Sequence, residues 1–145
     1  PGAGPTASAA LNLVKAGSGW ATLTLDNDYT GTTTVTGGIL QIGRSNVGDT
    51  GSVGAAGLTA NAGTIIAGTG TIQGNSTING ELRPGDEAGS LRGTIIVNGN
   101  LSLGASAVGN FQLQRASYTA YNVLSMHDSQ YATWNAGIAT DPVYG

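Results

Sequence analysis

The chain has 145 residues, enough for one domain with a core of its own, and no cysteine, which excludes disulfides, zinc-thiolate centres and thiol catalysis. Only 9% of the residues are charged and the net charge is −3. The five basic residues, Lys15, Arg44, Arg83, Arg92 and Arg115, are scattered and form no stripe that could track phosphates, so nucleic acid is not an expected partner.

The chain begins at Pro1 without Met and stops mid-pattern, which predicts a piece of a longer protein whose export signals lie elsewhere. It has no basic start followed by an apolar run and a small-residue cleavage site, and no stretch nears the ~18 apolar residues of a membrane helix. Glycine is abundant at 25 residues, but Thr, Ile and Val dominate the short runs between the glycines, a composition of ordered strands rather than disorder.

The pattern first shows at "GTTTVTGGILQIG" (31–43), two short strands either side of a Gly37-Gly38 corner. Similar units follow at 63–74, 74–85 and 93–104. The best-matching pair, "GNSTINGELRPG" and "GTIIVNGNLSLG", share a first Gly, an apolar residue, Asn-Gly, a Leu and a closing Gly at equal offsets. Each unit reads as strand, corner, strand, since Gly and Asn enter left-handed conformations at low cost. One unit cannot bury its apolar side alone. Stacked copies can, with Val35, Leu40, Ile42, Ile66, Ile72, Ile78, Leu82, Val97, Leu101 and Leu103 pointing into one continuous core.

No stretch keeps a 3.6-residue apolar spacing, so the chain reads as all-β. Two polar, turn-forming segments near 44–57 and 83–93 read as loops projecting from the coils. Beyond residue 110 the texture changes, with six of the eight aromatics and only two of the glycines. The expected division is therefore 1–110 as coils and 111–145 as a final coil and capping segment that covers the exposed end. The same periodicity also fits antiparallel hairpins of a sandwich or propeller, turning at Asn79-Gly80 and Asn98-Gly99.

"GSGWATLTLDNDYTGTTTVTGGILQIG" (17–43) resembles the passenger-associated repeat of bacterial autotransporters. Leu23, Leu25, Asn27, Tyr29, Thr30, Gly31, Thr33, Val35, Gly38, Leu40 and Gly43 fall in that pattern's register. "GTGTIQGNSTINGELRPG" and "GSLRGTIIVNGNLSLG" are similar to the family's penultimate coils, matching at Leu82, Pro84, Gly85, Gly89, Leu91, Asn100 and Leu101. "FQLQRASYTAYNVLSM" (111–126) resembles the element that follows, with Asn122 where Asp is usual. The resemblance covers residues 17–126. It implies a right-handed parallel β-helix with a C-terminal cap of less regular strands. It also implies a position near the C-terminal end of a passenger, in the autochaperone region, where folding begins once the passenger emerges at the cell surface.

The implied partners are upstream passenger coils and a C-terminal outer-membrane barrel of the same polypeptide, after export through the periplasm and outer membrane. The expected cap core is Phe111, Leu113, Tyr121, Val123 and Leu124, and the repeat motif is carried by Leu23, Leu25, Tyr29, Gly31, Val35 and Leu40.

Other candidate sites favour structure over chemistry. His127 adjoins Asp128, but neighbours on a strand point to opposite faces and no nucleophile elbow is present. Asp86, Glu87 and nearby Glu81 could suggest calcium or paired carboxylates for glycoside cleavage. Calcium wants six to eight oxygens and glycoside cleavage two carboxyls at a set separation, while Arg83 and Arg92 stand ready to balance this loop. Trp20 and Tyr29 read as aromatics packed on a coil, with glycan stacking as the functional alternative. No catalytic, cofactor or metal site is expected. The expected role is a non-catalytic folding module; the alternatives are an adhesive surface for host cells or glycans and, behind it, a polysaccharide-degrading enzyme.

Overall fold

The structure is a computed structural model and describes residues 10–44, 48–85, 93–112 and 131–135. Every regular element among them is a short β-strand. The first coil holds β1 (Leu13–Lys15) and β2 (Trp20–Leu23); the second holds β3 (Thr33–Val35), β4 (Ile39–Ile42) and β5 (Ser52–Val53). The third is β6 (Leu58–Ala60), β7 (Ile65–Gly68) and β8 (Thr71–Gln73). The fourth is β9 (Ser76–Ile78), β10 (Glu81–Pro84) and β11 (Ile96–Asn98). Then come β12 (Leu101–Leu103), β13 (Val108–Gln112) and β14 (Tyr131–Asn135).

From β1 to β13 each strand pairs in parallel with the strand one coil on, and β14 joins β13 antiparallel at the end of the second face, giving three sheets wound around one core: a β-solenoid of about four turns. The first face runs β1-β3-β6-β9-β12, the second β2-β4-β7-β10-β13, and the third β5-β8-β11. The hairpin alternative is thereby excluded, because β9 and β10 flank Asn79-Gly80 yet lie in different sheets, as do β11 and β12 around Asn98-Gly99.

Register turns the strand alternation into vertical columns. Lys15, Val35, Ala60, Ile78 and Leu103 stack in one inward column of the first face. On the second face Ala21, Leu40, Ile66 and Leu82 stack likewise, and on the third Val53, Ile72 and Val97. Val35, Leu40, Ile42, Ile66, Ile72, Ile78 and Leu82 are buried in the core, as expected from the sequence. Burial of each large aliphatic side chain is worth about 1.5–3 kcal/mol, which is what a lone coil cannot obtain.

Three expectations need correction. The units 74–85 and 93–104 are not equivalent: β11 lies over β8 and β12 over β9, so Val97 stacks on Ile72 and Leu103 on Ile78. The two Asn-Gly pairs therefore occupy different corners. Leu101, placed in the core, is 40% exposed although it continues the column of Leu58 and Ser76, because β12 ends the first face. Val97 and Leu103 are half-buried against the core. Within 44–57, Ser52–Val53 is a buried strand of the third face.

Candidate functional site

The repeat segment carries most of the polar chemistry in the described residues. Beyond β2 the chain crosses the third face as 24–32, and its bonds to the second coil begin where Ser52 N–H donates to the Leu25 carbonyl at 3.2 Å. Asn27 then closes the junction. Its backbone N–H donates to Ser52 Oγ at 3.0 Å, and its Nδ2 donates to the carbonyls of Ser52 at 2.7 Å and Leu25 at 2.8 Å.

Tyr29 lies flat on the next coil. Its ring covers Gly54 so closely that a Cβ there would strike it, and Ala55 N–H donates to the Tyr29 carbonyl at 3.2 Å. The phenol reaches Thr33 Oγ1, giving a partner to a hydroxyl that is fully buried. Gly31 turns the chain toward β3 where a Cβ would run into the Leu11 carbonyl and Asn12 Oδ1. That carboxamide oxygen instead accepts from Thr32 N–H at 2.9 Å. Of the other motif residues, Val35 and Leu40 are buried in the core, Leu23 is half-buried against it, and Leu25 is 75% exposed.

Lys15 supplies a cation at an unexpected place. It is 8% exposed, in the inward column whose other members are apolar. Its Nζ donates to three carbonyls, Ala16 at 3.0 Å, Gly17 at 2.9 Å and Gly37 at 2.8 Å. Gly38 allows this approach: its φ is +67°, and a Cβ would lie 2.8 Å from Lys15 Nζ.

Elsewhere Glu81 Oε1 accepts from Arg83 Nε at 2.9 Å and Asn110 Nδ2 at 3.0 Å, with Arg83 Nη2 at 2.8 Å. Its Oε1 is thus engaged on the sheet surface. Asp86, Glu87, His127 and Asp128 lie outside the described residues, as do Leu113, Tyr121, Val123 and Leu124. Phe111, on β13, is half-buried and packed against the core. Trp20 is 56% exposed. Among the described residues no group of three His, Cys, Asp or Glu side chains gathers where it could hold a metal ion.

Sequence reasoning missed the roles of Lys15 and of the asparagines that precede first-face strands. Asn75 Oδ1 accepts from Asn100 N–H at 2.9 Å, just as Asn12 serves Thr32. Asn12, Asn75 and Asn100 share a position immediately before β1, β9 and β12, a signal visible only once strand register is known. The arrangement spends its polar groups on joining one coil to the next, and chemically it is a stacking joint.

Residues 13–42 match the family model described as Passenger-associated-transport-repeat. No curated protein and no solved structure matches the chain. The matched span comprises the first coil and the second coil through β4, the two coils that Lys15 joins through Gly37. The chain thus carries a passenger-associated-transport-repeat and is similar there to the repeat region of an autotransporter passenger.

Proposed function

We propose that this chain is a non-catalytic structural module of an autotransporter passenger that nucleates and stabilises β-helix folding as the polypeptide reaches the cell surface. One observation carries the reading. On the second face β14 lies antiparallel on β13, with Val108 opposite Asn135 and Gln112 opposite Tyr131, so the parallel stack ends on a reversed strand. The parallel ladder of that face thus ends at β13, whereas β1 and β2, like β11 and β12 on the other faces, leave parallel edges on which further coils can form.

In a one-dimensional stack the first stable coil is the costly one, because no packed neighbour offsets its chain entropy. A reversed strand laid over one face of this end lowers that cost. Phe111 contributes apolar area there, and the resemblance to the passenger repeat extends the expected cap core to Leu113, Tyr121, Val123 and Leu124. The module's partners are then upstream coils and an outer-membrane barrel of the same polypeptide.

The test uses the parent polypeptide with its barrel. Phe111→Ala and Tyr121→Ala should leave the barrel inserted while the passenger becomes protease-sensitive or poorly displayed; Leu13→Ala should do much less. Equal damage from both ends, or none from either, overturns the assignment. Incubation of the chain with uronate-containing and neutral polysaccharides checks the non-catalytic part, since any cleavage lost on Glu87→Gln would contradict it.

A second reading, adhesion to host cells or glycans, has one observation in its favour. Exposed Trp20 stands in register with half-buried Ile39 and Ile65 on the outer side of the second face, an apolar column on which a sugar ring could stack. Loss of glycan-array binding on Trp20→Ala would support it.

A further inference from the structure

We propose that Lys15 is a clamp that locks the first coil onto the second and governs whether the first coil stays docked. Among the described residues the first coil is joined to the second by β1 on β3 and β2 on β4, and its third face, 24–32, forms no strand. Its apolar contributions to the core, Ala21 and Leu23, are only partly buried, while Val14, Trp20 and Leu25 are 61, 56 and 75% exposed. Something besides burial must hold it.

The ammonium of Lys15 sits where the two coils turn from the first face to the second. Two of its acceptors, the carbonyls of Ala16 and Gly17, belong to the first coil's corner, and the third, of Gly37, to the second's. A cation with three donors and three carbonyl acceptors satisfies itself without a carboxylate, and every described partner of this one is main chain. Undocking the first coil breaks the Gly37 bond and opens the cradle. Hydrogen bonds to a charged group are stronger than neutral ones, so this joint should open as one unit. The inference rests on geometry alone and is independent of the export role.

Lys15 is the only lysine in the chain, so amine chemistry reads the clamp directly. Acylation of the native 145-residue chain with an N-hydroxysuccinimide ester, followed by peptide mass spectrometry, separates Lys15 from the α-amino group. Lys15 should be labelled at least about tenfold more slowly in the native chain than in the urea-unfolded chain. Gly38→Ala, whose Cβ would press on the ammonium and on the Gly17 carbonyl, should restore rapid labelling without loss of the core strands.

Lys15→Met keeps the apolar stem and removes the donors. Hydrogen exchange at residues 13–23 and 36–39 should then quicken about ten- to a hundredfold, with 65–68 and 76–78 unchanged. Native labelling as fast as unfolded labelling overturns the clamp. So does unchanged exchange in a folded Lys15→Met chain, which would make the lysine a core filler. Should Lys15→Met fail to fold, exchange at 13–23 in Gly38→Ala, which displaces the ammonium without removing the lysine, decides in its place.

Discussion

Tyr29 and Thr33 meet hydroxyl to hydroxyl across four residues, and this bond satisfies a threonine that has no exposed surface. Tyr29→Phe should therefore destabilise the chain by about 1–3 kcal/mol, the cost of orphaning a buried polar group rather than of losing an average hydrogen bond. Thr33→Val in the same background should recover most of that loss. Urea denaturation of the two single variants and the double variant gives the coupling directly, and additive losses would mean the pair is not a unit.

Gly31 and Gly19 make a matched test of close approach. A Cβ at Gly31 has no room beside Leu11 and Asn12, whereas one at Gly19 meets nothing within 4 Å. Gly31→Ala should cost about 1–3 kcal/mol and Gly19→Ala should stay within about 0.5 kcal/mol, both read from denaturation midpoints.

A serine and an asparagine replace strand bonds between coils. Ser76 Oγ accepts from Leu58 N–H at 3.0 Å in a buried setting, while Asn75 Oδ1 performs the comparable service for Asn100 at an exposed corner. Ser76→Ala should thus cost about 1–3 kcal/mol and Asn75→Ala about 0.5 kcal/mol, since water can replace the second acceptor but not the first. Amide exchange at Leu58 should accelerate in the serine variant only.

The core columns predict unequal losses from the same substitution. Leu40 is fully buried and Leu101 is 40% exposed at the end of its face. Leu40→Ala should lower stability by about 2–5 kcal/mol, and Leu101→Ala by about 1 kcal/mol or less. Thermal melts of the two variants would show whether Leu101 ends a face, as its register requires.

Much of the fold was legible because local chemistry marks strands and corners: β-branched runs such as Thr33–Val35 and Ile65–Ile66 between glycines leave few alternatives. Which corner a given glycine serves was not legible. Asn79-Gly80 and Asn98-Gly99 carry the same local signal, and only pairing over 25 residues, Asn98 with Gln73 and Leu101 with Ser76, assigns the second pair to a different edge. Lys15 escaped notice for a related reason. A single basic residue reads as solvated surface, and its acceptors are main-chain carbonyls, which every residue possesses.

The winding itself carries a further consequence. Thr33 lies over Leu13, Leu58 over Thr33, Thr77 over Thr59 and Leu101 over Ser76, so successive coils advance by 20, 25, 18 and 25 residues without any column shifting. The surplus sits chiefly at one edge, between the second and third faces, as 43–51 after β4 and 85–95 after β10, against 69–70 after β7. Sequence length and molecular length are thus decoupled: this edge can gain or lose residues in evolution while the rod keeps its pitch. Grafted peptides placed there would ride on alternate turns along a single line, like flags on a mast.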